Sequence, residues 1–126
     1  MHEPFERGQI QYLSVEFARR VRVIYLIAFQ GNVADRSSLS QFYRAATSVG
    51  ANIREGQYAE SPRDFVHKHK IAEKELGEFF YWFGLLSSNK DLFECEAAED
   101  ILSRGTAIAK LLASIIKSTR KRHSLT

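Results

Sequence analysis

The stretch Gln41-Phe42-Tyr43-Arg44-Ala45-Ala46-Thr47-Ser48-Val49-Gly50-Ala51-Asn52-Ile53-Arg54-Glu55-Gly56 decides the fold. With Leu39 just before it, Phe42, Ala46, Val49 and Ile53 recur at alternating three- and four-residue steps, the spacing of one apolar seam along an α-helix. Gln41, Arg44, Ser48, Asn52 and Glu55 form a second, polar line at similar spacing. Ala45, Ala46, Ser48, Gly50 and Ala51 are small, which lets neighbouring helices approach closely. Polar groups beside a buried seam need partners, so the pattern is that of a helix inside a bundle.

Working outward, Ser38 followed by Gln41 reads as a capping box that opens this helix, expected over 38–58. On its far side Ser61-Pro62-Arg63-Asp64 is a second start signal: serine caps, proline takes the first helical position and Asp64 answers the cap. The helix expected over 62–87 has the core line Phe65, His69, Ala72, Leu76, Phe79, Phe83 and Leu86, with Phe80, Tyr81 and Trp82 on its other faces. Towards the amino terminus, a polar connector over 31–37 follows a helix expected over 9–30. That helix has the core line Ile10, Leu13, Phe17, Ile24 and Ile27, and Gly31-Asn32 as its stop. Its second half, Val21 to Phe29, is apolar nearly all round. Towards the carboxyl terminus, Asp91 with Glu94 is expected to cap a helix over 92–119. Its core line is Ala98, Ile101 or Leu102, Gly105, Ala109, Leu112 and Ile116. No acid follows Asp100, and the tail 117–126 is basic.

Four helices with short connections pack most simply as an antiparallel up-down four-helix bundle, an all-α fold in a single domain spanning 1–126. The topology puts the all-round apolar segments of helices one and three towards one pole. A helix apolar on every side is covered on every side, and such a belt exceeds what monomers usually expose. The expectation is a homo-oligomer built through helices one and three, with Tyr25, Phe29, Phe80 and Trp82 at the interface. The same topology sets Arg44 level with Glu75, with Glu73 or Glu78 as alternates, and Asn52 level with His67. Arg44, Ser48, Asn52, Glu55 and Glu75 are the expected polar network.

Length and composition narrow the function classes. A chain of 126 residues can bury one core, and its apolar and charged fractions are those of a globular protein rather than a disordered one. A single cysteine, Cys95, provides no disulfide framework and fits a reducing compartment. The start Met1-His2-Glu3-Pro4-Phe5-Glu6 has no basic-then-apolar leader pattern. The longest apolar runs, Val23 to Phe29 and Phe79 to Leu86, fall far short of the ~20 residues of a membrane span. A cytoplasmic protein without a membrane partner is expected.

The run Gln41-x-x-Arg44-Ala45-Ala46-x-Ser48-Val49-x-x-Asn52-Ile53-x-Glu55-Gly56, followed by Phe65…Ile71-Ala72-x-Lys74-Glu75-x-x-Glu78, carries a resemblance. It is similar to the four-helix bundle proteins encoded in intervening sequences of bacterial 23S ribosomal RNA genes, relatives of the accessory protein of diversity-generating retroelements. The motifs cover helices two and three; helices one and four match in length and pattern alone. The resemblance implies a ring-shaped homopentamer that binds nucleic acid, RNA or DNA, or a nucleic-acid enzyme such as a reverse-transcriptase-like protein. The function of most members is unknown. Gly50 stands where the family often has proline, and Arg54 where alanine is usual.

The chemistry-bearing residues weigh against an enzyme. His67 and His69 are two apart and diverge on a helix, so with Glu73 they do not make a metal site, and no second carboxylate–histidine pair supports one. Ser48 has no histidine at helical spacing, Cys95 stands among acids, and no phosphate-cradling glycine loop is present. The aromatics Phe79 to Phe83 can stack bases in principle but read first as packing. No cofactor is expected. What remains is charge: Arg54, Arg63, Lys68, Lys70, Lys117, Arg120, Lys121 and Arg122 fall towards one pole, whereas Asp35, Asp91, Glu94 and Glu96 lie at the other. Repeated around a ring, such a pole is a basic rim for a phosphate backbone. The same placement also suits the macrodipole of helix four, and Glu55, Glu60 and Asp64 dilute it. The expected function is a non-catalytic oligomeric bundle that binds nucleic acid, or a protein that processes it, through the basic pole. The alternative is a structural or adaptor oligomer with no nucleic-acid contact.

Overall fold

The anticipated seam is the best-buried line in the protein: Leu39, Phe42, Ala46, Val49 and Ile53 are all fully inaccessible. The structure is a computed structural model that describes residues 6–88, 93 and 95–126. Among the described residues there are four long helices, α1 (Glu6–Gln30), α2 (Arg36–Gly56), α3 (Pro62–Leu86) and α4 (Glu96–Arg122), and no strand.

Contacts between the helices fix their directions. As α2 advances, α3 retreats: Phe42 stacks on Phe79, Arg44 reaches Glu75 and Glu78, and Glu55 meets Lys68. Tyr25 of α1 stacks on Tyr43 at a centroid distance of 4.4 Å, while Ser14 lies against Gly50, so α1 and α2 also run antiparallel. Arg20 of α1 bonds Asp100 of α4, and Phe17 lies beside Gly105. Each of α1 and α3 thus packs between α2 and α4, and the two sit across the diagonal of an up-down-up-down bundle.

Local chemistry explains the ends. At the close of α1 it is Asn32, not Gly31, that takes the left-handed conformation, at φ 54°. The Val33 amide then returns to the Ala28 carbonyl at 3.0 Å, closing a Schellman-type turn. Helix α2 opens one turn ahead of the expected Ser38 box. Asp35 is its cap, accepting from the Ser38 amide at 2.9 Å, and that hydrogen bond holds the Asp35 carboxyl below its ordinary pKa. At α3 the cap is the expected one: Ser61 Oγ accepts from the Asp64 amide at 3.0 Å with Pro62 at the first turn, while Asp64 accepts from the Glu60 amide. The expected cap of helix four at Asp91 and Glu94 lies outside the described residues. Among those described, Cys95 precedes α4 without a side-chain cap bond.

The core corrects the sequence reading in three places. In α1 the buried line is Ile10, Phe17, Val21, Ile24 and Ala28, while Ile27 is 53% exposed and Leu13 only half-buried. A segment apolar on every face offers no periodicity to choose between them. In α3 Val66 is buried in place of Phe65, whose ring instead covers His69 at 4.0 Å. In α4 Ile108 is buried rather than Ala109, and Ile101 rather than Leu102. At the centre Phe17, Phe42, Phe79 and Phe83 meet edge-on or offset, arrangements that add about 0.5–1.5 kcal/mol per pair beyond area burial. Gly105 permits this crowding: a Cβ there would stand 3.2 Å from Phe80 and 3.4 Å from Phe17.

Candidate nucleic-acid interface

The cations anticipated at one pole divide into two groups once their neighbours are known. Lys68 Nζ bonds Glu55 at 2.9 Å, and this hydrogen bond with its charge raises the lysine pKa above its ordinary value. Lys70 Nζ bonds Glu73 at 2.7 Å along the same helix. Arg54 and Arg63 flank the α2–α3 turn and make no ion pair among the described residues.

The second group is in the last two turns of α4. Lys117, Arg120, Lys121 and Arg122 likewise have no acidic partner among the described residues; Arg122 donates to the Ser118 hydroxyl at 3.1 Å. No acid follows Asp100, so nothing on the helix itself can neutralise them. The buried line Leu112, Ile116 and Thr119 faces inward. The opposite stripe carries Ser114, Lys117, Ser118, Lys121 and Arg122, which share one open, shallow surface. Hydroxyls and cations alternating along one helical face are the side chains that contact phosphate oxygens. The two serines escaped the sequence reading, although their four-residue spacing in step with Lys117 and Lys121 is the signal that finds them.

The expected polar network separates into three pieces. Arg44 is a hub, bonding Glu75 at 3.1 Å, Glu78 at 2.6 Å and Gln41 at 3.0 Å, so the first-named partner and one alternate are engaged together. Asn52 does not reach His67; its amide donates to the Ser48 carbonyl at 2.9 Å one turn back. Glu55 joins Lys68 instead. His69 is fully buried, with Nδ1 at 2.9 Å from the Phe65 carbonyl, and Gly56 lies so close that a Cβ there would be 2.7 Å from the imidazole. No grouping of three or more histidine, cysteine or acidic side chains suited to a metal ion occurs among the described residues. No helix among them is long and apolar enough to cross a membrane.

The aromatic residues expected at an oligomer interface are half-buried in their own protomer. Tyr25 stacks on Tyr43, Phe29 lies under the Arg36 guanidinium at 4.4 Å, Phe80 leans on Phe79, and Trp82 meets Tyr81 edge-on. The partners of Tyr25 and Phe29 lie on the next helix, where a linear sequence does not display them. On these two helices the exposed large apolar side chains are others: Tyr12, Val15, Val23 and Ile27 on α1, and Tyr81 and Leu85 on α3.

With this geometry in view, comparison with known proteins is decisive for kinship. Residues 9–114 match the family described as 23S rRNA-intervening sequence protein. The chain belongs to that family. A solved structure is similar: a protein of unknown function from the S23 ribosomal protein family of Bacteroides thetaiotaomicron, determined at 1.70 Å. It aligns with a TM-score of 0.82 and 37% identity, covering 90% of this chain and 99% of that one. No curated protein matches the chain. Family membership agrees with the four-helix all-α fold but assigns no activity, since a fold alone does not determine function.

Proposed function

We propose that this protein is a non-catalytic, self-assembling bundle that binds the phosphate backbone of nucleic acid through the carboxyl-terminal face of α4. The observation that carries the reading is the contrast within the basic pole. Lys68 and Lys70 are engaged by glutamates, whereas Lys117, Arg120, Lys121 and Arg122 have no acidic partner among the described residues, and Lys117, Lys121 and Arg122 share a face with two serine hydroxyls. Unpaired cations on one rigid stripe attract a polyanion without reading its bases. The salt dependence of binding tests this. Four cations meeting four phosphates give a slope of about −3 in log K against log salt on a single strand. A slope near zero, or an affinity unchanged when Lys117 and Lys121 become glutamine, contradicts it.

The assembly half of the proposal has its own support. Val15, Val23 and Ile27 on α1 and Tyr81 and Leu85 on α3 are exposed, and these helices occupy opposite corners of the bundle. Two different apolar patches facing apart favour a heterologous contact, which closes into a ring when the rotation permits. Five copies is the number the family resemblance implies. Copies related by a ring axis would present their α4 ends on one rim. The same exposed faces favour the second reading, a structural oligomer that engages protein alone. Light scattering at micromolar concentration tests assembly, and a monomer mass contradicts it. A partner of the reverse-transcriptase kind belongs to this second reading.

A further inference from the structure

We infer that the nucleic acid taken by this pole is single-stranded, and that Tyr58 is the platform on which one of its bases stacks. The inference rests on the nucleic-acid reading above and narrows it. Tyr58 sits in the turn between α2 and α3 and is 77% exposed, more than any other large apolar or aromatic side chain among the described residues. Its side chain touches no other ring and makes no hydrogen bond among them. In the run Phe79 to Phe83, the other aromatic cluster considered for stacking, Phe79 is fully buried, Phe80 leans on it, and the exposed Tyr81 is engaged edge-on by Trp82.

The turn presents this ring from a fixed backbone. The amides of Gln57, Tyr58 and Ala59 return to the carbonyls of Arg54, Glu55 and Gly56 at 3.0, 3.0 and 3.2 Å. The Glu60 amide bonds Asp64, and the Asp64 amide bonds Ser61. Little backbone ordering then remains to be done on binding. Of the acids in this corner, Glu55 is answered by Lys68, and Asp64 is turned to the Glu60 amide with its charge retained. Arg54 and Arg63 bracket the ring in sequence without ion pairs among the described residues, and Glu60 and Asp64 are the opposing charges in the turn. An exposed aromatic flanked by cations is the arrangement that holds unpaired bases.

Single strands are specified by what the ring can reach. A duplex hides its base faces and offers only edges in its grooves, whereas unpaired bases can splay out against an aromatic ring.

The test is fluorescence anisotropy with the full chain at low salt, using end-labelled oligo-U and oligo-dT of about 20 nucleotides, longer than one site, and a duplex of equal length. Tyr58→Ala is expected to weaken binding of whichever single strand the wild type takes about tenfold, with duplex affinity unchanged and Tyr58→Phe like wild type. Lys117→Gln with Lys121→Gln is expected to weaken single strands and duplex alike. Thermal melts of Tyr58→Ala should match wild type, because little of the side chain is buried. If Tyr58→Ala binds single strands as tightly as wild type while the lysine variant is weakened, the stacking inference falls and the backbone reading stands. Wild type preferring the duplex overturns the inference too. Absence of binding to every probe overturns both.

Discussion

The α2–α3 seam and the last two turns of α4 both carry closely spaced cations, and they treat them in opposite ways. Along the seam Arg44 is held by Glu75, Glu78 and Gln41, Lys68 by Glu55 and Lys70 by Glu73. On α4 Lys117, Arg120 and Lys121 have no acidic partner among the described residues, and Arg122 has only a serine hydroxyl. A charge answered across the seam, as at Arg44 and Lys68, helps to set the register of two helices. A charge left open is available to something outside. The sign and number of charges at the pole do not distinguish these cases; the positions of the acids do.

Breaking the seam should cost stability in proportion to burial. The largest loss is expected from Phe42→Ala, since that ring is fully buried against Phe79, Phe83 and Phe93. Truncating such a ring lowers the unfolding free energy by about 3–5 kcal/mol, readable as a lower urea midpoint. Gly56→Ala comes next. The new methyl would meet an imidazole that is anchored to the Phe65 carbonyl and covered by the Phe65 ring. Overpacking of this kind costs about 1–3 kcal/mol, and a midpoint at or above wild type would show that the ring can yield.

Ser61→Ala should cost about 1 kcal/mol by removing the cap on the Asp64 amide. Arg44→Ala is smaller still. Its side chain is 44% exposed, so even its two carboxylate partners hold the loss to within about 1 kcal/mol. It should nevertheless exceed the loss for Arg63→Ala, which breaks no ion pair, and equal melting temperatures would contradict the hub. Acid should weaken the start of α2. Asp35 has a lowered folded pKa, so its cap stabilises fully above the unfolded carboxylate pKa and is lost as pH falls through the folded one.

How much of this was legible in the sequence depends on whether a residue's role is local. The α2 seam is readable because its apolar residues are periodic and the remaining positions are small or polar. The Ser61-Pro62 start is readable because a cap and its amide lie three residues apart. The choice of Asp35 over Ser38 is less so, since Asp35, Ser37 and Ser38 all have capping side chains. From Val21 to Phe29 nearly every position but Arg22 is apolar, and only packing against α2 and α4 selects Val21 and Ala28 over Ile27. The candidate site divides in the same way. The basic run of α4 is visible in one dimension, whereas the engagement of Lys68 by Glu55, thirteen positions away, appears only when two helices are side by side. Tyr58 is missed because exposure in a turn leaves no periodic mark.

The central claim is that the paired charges of the seam serve the fold whereas the α4 charges serve a partner, and Lys117→Gln/Lys121→Gln measured beside Arg44→Ala tests it most directly. Melting temperature and the salt slope of oligonucleotide binding should be read on the same samples. The account predicts that the lysine variant melts with wild type and its slope flattens by about 1.4, near 0.7 for each single-strand phosphate no longer neutralised. Arg44→Ala should melt lower with its slope unchanged. A lysine variant that melts lower while binding with the wild-type slope would contradict the account.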